Sequence, residues 1–135
     1  IRRVMDQLYS SAPDGYCGDE DNGQTSAWYV FSSLGFYPVC PGSNQYVLGT
    51  PYFNNVKLHL ENGKSVEISA EDNSQENKYI FAMKVNGNDY SRNYITHEQL
   101  LGGIKINFKM SDKPNKSRGI KESDFPYSFS NELKK

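Results

Sequence analysis

The chain has 135 residues, with 15 Lys and Arg against 16 Asp and Glu and a formal net charge of −1. This balance argues against a nucleic-acid or membrane-surface partner, because both require a strong basic field. No stretch approaches the roughly 18 consecutive apolar residues of a transmembrane helix, and at about 150 residues per domain the length fits one domain or a piece of a larger one.

The first ten residues are predicted to form a helix. Ile1, Val4, Met5 and Leu8 recur at helical spacing and share one face. A Pro-Asp-Gly turn at residues 13–15 ends this helix. No capping residue precedes the apolar stripe, so we expect a chain that was cut within a larger helical body.

A second helix is predicted over residues 22–34. Its apolar face is formed by Ala27, Trp28, Phe31 and Leu34, and Val30 widens it. Either Asp21 or Asn22 is expected to be the N-cap, and Gln24, three residues after Asp21, resembles the partner in a capping box. Gly35 suits the position just after the helix.

From Tyr46 onward the pattern is that of strands. Apolar and polar residues alternate over three segments, 56–60, 65–69 and 104–110, and residues 79–85 are predicted to be a further strand. The dipeptides Asn62-Gly63 and Asn86-Gly87 predict tight turns, because Asn and Gly tolerate positive φ. The segment 96–99 (Thr-His-Glu-Gln) predicts a short capped helix. Strands with one apolar face need a partner layer, so a β-sandwich is expected.

Two segments lack periodicity. Residues 70–78 form a run of polar side chains and are predicted to be a loop. Residues 111–135 are predicted to be a surface tail, with the part from 120 to 135 irregular.

The densest group of ionisable residues lies between the two helices. Asp19, Glu20 and Asp21 are consecutive and are flanked by Gly18 on one side and Asn22-Gly23 on the other. Ionised carboxylates in such a loop can serve as a general base or bind a hard cation. The same residues can instead cap the following helix or face solvent near its positive end. The pattern alone leaves both interpretations open.

The segment from residue 15 to 39, which contains Gly18-Asp19-Glu20-Asp21 and continues to Pro38-Val39, resembles the C-terminal signature of glycoside hydrolase family 92. Further matches occur at residues 41–43, 46–51, 94–100 and 112–116, so the resemblance spans about residues 1–119. The family consists of bacterial exo-acting α-mannosidases with an N-terminal β-sandwich and an (α/α)6 barrel. The resemblance therefore implies a mainly β chain that begins with two helices: residues 1–39 are the last helices of a truncated barrel, 40–119 a β-sandwich-like C-terminal domain and 120–135 a tail.

The resemblance also implies an activity. Members hydrolyse α-1,2-linked mannose of glycans with inversion, and they depend on Ca²⁺. Asp19 and Asp21 match the family's general-base motif, with Asp21 expected to be the base and Asp19 its helper, and Glu20 is expected to point elsewhere. The general acid is a Glu upstream of this chain, and most ligands of Ca²⁺ also lie outside it. We therefore expect the isolated chain to be inactive and the whole protein to be periplasmic, extracellular or at the cell surface of a bacterium.

The remaining candidate residues are expected to be structural. The aromatic residues of the second helix (Trp28, Tyr29 and Phe31) are predicted to belong to the core, His59 to the surface and Cys17 to a buried apolar site. His97 lacks the spacing of a zinc motif, and the pairing of Cys17 with Cys40 stays open. The alternative functions are a noncatalytic β-sandwich module that binds carbohydrate or packs on another domain, and a structural domain that is stabilised by Ca²⁺. The apolar stripe of the first helix is also a candidate surface for a homo-oligomer.

Overall fold

The computed structural model describes residues 1–134, which contain three α-helices and eight strands. In chain order these are α1 (Arg2–Leu8), α2 (Gln24–Leu34), β1 (Phe36–Tyr37), β2 (Gln45–Leu48), β3 (Asn55–His59), β4 (Ser65–Glu71), β5 (Tyr79–Val85), β6 (Asn88–Asp89), β7 (Tyr94–Thr96), α3 (His97–Leu101) and β8 (Ile104–Ser111). Two 3₁₀ turns follow at Glu122–Asp124 and Phe129–Lys134. The chain is therefore mostly strands with a few helices, as predicted, and Lys135 lies outside the described residues.

The smaller sheet has three antiparallel strands in the order β1-β2-β7. It follows directly on α2: Gly35 ends the helix with a φ of 90°, and β1 begins at the next residue, Phe36. A Cβ at Gly35 would lie 2.7 Å from the backbone nitrogen of Pro51, so the close approach as well as the positive φ requires glycine here. The predicted end of α2 is confirmed.

The larger sheet has five strands in the order β3-β4-β8-β5-β6. The hairpins β3-β4 and β5-β6 turn at the two Asn-Gly dipeptides, as predicted. The central pair β4-β8 is parallel, with Ile68 opposite Ile106, whereas the other neighbours are antiparallel. Alternating burial along β4 and β8 gives this sheet one apolar face and one polar face.

Both sheets contribute to one hydrophobic core. Ile95 from β7 and Ile106 from β8 are 0% exposed, and Leu34 at the end of α2 joins the same cluster. Phe31 and Tyr46 pack on its edge. The core therefore fixes the C-terminal end of α2, and its N-terminal end projects away from the core with the loop that precedes it.

Helix α1 is attached mainly by polar contacts. The Arg2 guanidinium donates to the carbonyl of Pro51 at 2.6 Å and to that of Ser74 at 2.7 Å, and it also bonds to the side chain of Asn73. The Tyr52 hydroxyl donates to Asp6 at 2.7 Å. Of the predicted apolar stripe only Met5 is buried.

Three local predictions differ from the structure. The residues expected to begin α2, Asp21 or Asn22, are not its N-cap; Gly23 is, and it has no capping side chain. Trp28 was assigned to the core but is half-buried, and Val30 is 55% exposed. The polar loop predicted over 70–78 begins two residues later, because β4 continues to Glu71.

The C-terminal tail follows the surface, as expected, but it is anchored. Asp124 is only 3% exposed and accepts a hydrogen bond from the Ser91 hydroxyl at 2.7 Å. Arg118 donates to the carbonyl of Arg92 at 2.9 Å and to the Asn93 side chain at 3.0 Å. In the described part of the chain, no helix is long and apolar enough to cross a membrane.

Candidate functional site

A cluster of aromatic rings lies beside the loop that joins α1 and α2. Tyr9, just after α1, stacks on Trp28 of α2 with ring centres 5.7 Å apart and planes at 15°. It also contacts Tyr29 at 5.0 Å and Tyr16, edge-on, at 6.3 Å. The Tyr9 hydroxyl donates to the carbonyl of Thr25 at 3.2 Å. The two ends of the loop are therefore held together by contacts between the helices that it joins.

Tyr9 itself is held in the neutral form. Burial, together with the nearby Cys17 side chain and the charge of Glu20, raises the pKa of Tyr9 to about 12. A phenol with this pKa stays protonated across the neutral range.

The loop enters α2 through a tight turn at Asn22-Gly23. Asn22 has φ of 56° and Gly23 has φ of 79°, and the N–H of Gln24 donates to the carbonyl of Asp21 at 3.1 Å. Two consecutive positive φ angles define a type I′ turn. An ordinary N-cap residue has extended backbone angles, so this turn is the physical reason that neither Asp21 nor Asn22 caps the helix.

Glu20 takes over the capping role. Its carboxylate accepts a hydrogen bond from the backbone N–H of Ser26 at 3.0 Å and another from the Ser26 hydroxyl at 2.7 Å. Ser26 lies in the first turn of α2, where backbone N–H groups lack helical partners. Glu20 therefore points to the helix and is occupied there.

The two predicted catalytic residues flank Glu20. Asp19 and Asp21 are both exposed. Among residues 1–134, neither carboxylate takes part in a hydrogen bond or an ion pair. These carboxylates are thus free to accept a proton from, or hydrogen-bond to, a group that approaches the loop. Their catalytic role stays a prediction.

A cleft of about 430 Å³ opens beside the loop. It is lined by aromatic rings and hydroxyls: Tyr9, Ser10, Ser11, Tyr16, Ser26, Tyr29 and Val30. The prediction that the aromatic residues of α2 belong to the core is correct for Phe31 only. The presence of Tyr9 and Tyr16 on the other side of the acidic loop is the sequence signal that points to this separate aromatic cluster.

The residues described here do not form a metal site of their own. Within residues 1–134, no group of three or more His, Cys, Asp or Glu side chains could hold a metal ion. Ca²⁺ prefers six to eight oxygen ligands, and the free carboxylates of the loop, Asp19 and Asp21, could supply only a part of such a set.

The other candidates lie away from the loop, except for Cys17. Cys17 is exposed, contrary to the expected buried site, because the loop that carries it lies outside the core; it and Cys40 are free thiols. His59 is exposed on β3, as predicted. His97 is hydrogen-bonded through Nδ1 to the Tyr46 hydroxyl at 3.0 Å.

Comparison with known proteins identifies relatives over nearly the whole chain. The profile of the glycosyl hydrolase family 92 catalytic domain matches residues 1–112. A secreted glycosidase of Arthroderma benhamiae, itself uncharacterized, is 31% identical over 130 residues, which are 94% of this chain and 17% of that protein.

Two solved structures from Bacteroides thetaiotaomicron share the fold. A family 92 inverting mannosidase is 54% identical, with a TM-score of 0.87 over 96% of this chain and 18% of that one. A family 92 α-mannosidase, solved with mannoimidazole, is 39% identical, with a TM-score of 0.90 over 95% of this chain and 17% of that one. The chain thus spans less than a fifth of each relative's length.

Proposed function

The chain belongs to glycosyl hydrolase family 92, and we propose that it is the C-terminal part of a longer inverting exo-α-mannosidase to which it supplies the general base. The relatives include a mannosidase that inverts and an α-mannosidase that was solved with mannoimidazole. The observation that carries the proposal is the difference in hydrogen bonding among the three carboxylates of the acidic loop. Glu20 is hydrogen-bonded to α2, whereas Asp19 and Asp21 are exposed and unbonded.

The proposed chemistry follows from what inversion requires. A carboxylate removes a proton from a water molecule as the water attacks the anomeric carbon, and a carboxylic acid protonates the departing glycosidic oxygen. The two carboxyl groups stand about 6.5–9.5 Å apart so that the water fits between them. We assign the base to Asp21 and its support to Asp19, and the acid to a Glu elsewhere in the longer protein.

Asp21 is the stronger candidate because of its place in the turn. Its carbonyl accepts the hydrogen bond from Gln24 that closes the type I′ turn, so its backbone is fixed next to the start of α2. The positive end of a helix favours a nearby ionised carboxylate, and an ionised carboxylate is the form that accepts the proton.

The substrate we propose is an α-1,2-linked mannose at the end of a glycan, with Ca²⁺ bound by residues of the longer protein. We also propose that the protein acts outside the cytoplasm of a bacterium, since one relative is a secreted glycosidase and the two solved relatives come from Bacteroides thetaiotaomicron. The isolated chain is expected to be inactive, because it does not carry the proposed acid.

The apolar side chains that remain exposed on the two N-terminal helices support a place within an (α/α)6 barrel. Ile1, Leu8 and Val30 are 58%, 53% and 55% exposed. We propose that they pack on further helices of the longer protein and that the two sheets form its β-sandwich-like C-terminal portion. If the full-length protein instead self-associates through these residues, they form the contact of a homo-oligomer.

The function is tested by replacing the proposed base without changing its shape. In the full-length protein, Asp21→Asn should abolish release of mannose while the thermal unfolding temperature stays unchanged. Asp89→Asn, in the distant exposed strand β6, is the matched control and should keep full activity. An isolated chain that binds mannosides tightly by calorimetry would support the noncatalytic binding module instead.

A further inference from the structure

We propose that Asn22 is the site at which the folded protein undergoes selective spontaneous deamidation. The chain contains three Asn-Gly dipeptides, at residues 22–23, 62–63 and 86–87. Asn-Gly is the most reactive sequence for this reaction, because glycine offers no side chain to block it. The three sites are therefore similar in sequence, and their structural surroundings decide which one reacts.

The reaction needs a free side-chain amide and a free backbone nitrogen. The nitrogen of the glycine loses its proton and attacks Cγ of the asparagine, and the side-chain amide leaves as ammonia. Water then opens the resulting five-membered imide at either carbonyl. The products are aspartate, or isoaspartate with the backbone rerouted through the side chain. Hydrogen bonds that hold the amide or the glycine N–H slow the first step.

Asn86 is the informative comparison because its backbone resembles that of Asn22. Asn86 has φ of 50° and is followed by Gly87 with φ of 82°. The Asn86 side-chain oxygen, however, accepts a hydrogen bond from the N–H of Lys105 at 2.9 Å, and its backbone N–H donates to the carbonyl of Lys105 at 2.9 Å. Both the side chain and the backbone of Asn86 are therefore hydrogen-bonded to strand β8.

Asn62 is held even more completely. Its side-chain nitrogen donates to the carbonyl of Leu101 at 2.9 Å, and its side-chain oxygen accepts from the N–H of Lys64 at 3.0 Å. The attacking nitrogen is also occupied, since Gly63 donates to the carbonyl of Leu60 at 3.0 Å.

Asn22 has none of these restraints. It is exposed, and within residues 1–134 neither its side-chain amide nor the backbone N–H of Gly23 forms a hydrogen bond. The space around Gly23 is open, because a Cβ placed there would meet no atom closer than 3.8 Å. The folded state therefore restrains two of the three sites and leaves Asn22 free to react.

The product would alter the loop that the proposed function uses. Either product adds a carboxylate next to Asp21, and isoaspartate also lengthens the backbone inside the turn that sets the start of α2. The modification also requires that the longer protein leaves Asn22 open to water, so the inference rests on the proposed function, in which this loop meets the attacking water molecule.

Peptide mapping by mass spectrometry tests the proposal. The full-length protein is incubated at mildly alkaline pH, where more backbone amide is deprotonated, and the conversion of each Asn-Gly site is followed over time. We expect Asn22 to convert several-fold faster than Asn62 and Asn86. Equal rates, faster conversion at Asn62 or Asn86, or an unchanged Asn22 would overturn the proposal.

Two controls separate structure from sequence. In urea, where the hydrogen bonds of all three sites are lost, the three rates should converge; an Asn22 excess that persists there would contradict the structural explanation. In the folded Asn22→Gly variant, which keeps the freedom for positive φ, conversion at residue 22 must vanish while the rates at Asn62 and Asn86 stay the same. A change in those two rates would show that the sites are not independent and would equally contradict the proposal.

Discussion

The carboxylate of Glu20 bonds to both the backbone N–H and the hydroxyl of Ser26, at 3.0 and 2.7 Å. This pair fixes the end of the acidic loop to the first turn of α2. Because Glu20 faces the helix, the neighbouring Asp19 and Asp21 remain free. One structural carboxylate thus supports two that are available for chemistry.

Removal of the Glu20 cap should destabilise the protein. Loss of a helix N-terminal cap typically costs about 0.5–2 kcal/mol, so Glu20→Ala should lower the free energy of unfolding by this amount, measured by denaturant titration. Ser26→Ala should lose part of it, and the two effects should not add, because the partners are shared. Asp19→Ala is the control and should change stability by less than about 0.5 kcal/mol; an equal cost would contradict the capping role.

The ionisation of Tyr9 should be visible at high pH. Burial and the contact with Cys17 raise the pKa of Tyr9 to about 12, above the ordinary value of 10.0. A raised pKa in the folded state stabilises the fold fully below pH 10, and this stabilisation is lost as the pH rises toward 12, since the unfolded chain ionises first. The difference between the phenolate absorbance titrations of the wild type and Tyr9→Phe should have its midpoint near pH 12; a midpoint near 10 would refute the assignment.

The ion pairs on the polar face of the five-stranded sheet predict that the stability of the fold decreases at low pH. Lys57 at 3.0 Å and Lys105 at 3.2 Å lower the pKa of Glu67. A lowered pKa contributes stability that is present above the ordinary carboxyl range and is lost as the pH falls through the folded value. The stability difference between the wild type and Glu67→Gln should therefore vanish in acid and shrink in high salt. Glu61→Gln, in the β3-β4 turn, serves as the control, and an equal pH-dependent difference there would contradict a specific role for Glu67.

The C-terminal tail should detach when its contact with Asn93 is disturbed. Gly119 has φ of +69°, and a Cβ there would lie 2.3 Å from Oδ1 of Asn93. Gly119→Ala should therefore increase the rate of proteolytic cleavage between residues 112 and 134. Lys116→Ala, on the exposed side of the same segment, should leave the rate unchanged. Equal resistance of Gly119→Ala and the wild type would show that the tail does not depend on this contact.

The elements that could be predicted from sequence are those set by local pattern. Strand β5 was predicted with its observed bounds, and the Asn-Gly turns and the short capped helix at α3 were also correct. The parallel pairing of β4 with β8 was not predicted, because the sequence between them does not show which strands become neighbours. The start of α2 was wrong because the positive φ of Asn22 and Gly23 outweighs the usual preference of such residues for the N-cap.

The candidate site could be predicted only in part. The loop was located from its three acidic residues. That Glu20 caps α2 while Asp19 and Asp21 stay unbonded could not be predicted, because it depends on where Ser26 lies in the fold. Trp28 was assigned to the core because its spacing is helical; its half-buried state depends on Tyr9, a residue 19 positions earlier in the chain, on which it stacks. Periodicity within one helix cannot show that contact.

The central claim, that Asp21 activates the attacking water, is tested most directly by chemical rescue in the full-length protein. Asp21→Ala removes the base and leaves space for a small anion, so azide, which needs no deprotonation, can attack in place of water. Turnover of an aryl α-mannoside should be lost in this variant and restored by azide, with β-mannosyl azide as the product of inversion. Undiminished hydrolysis without azide would contradict the claim, as would azide-dependent turnover that yields the α-azide.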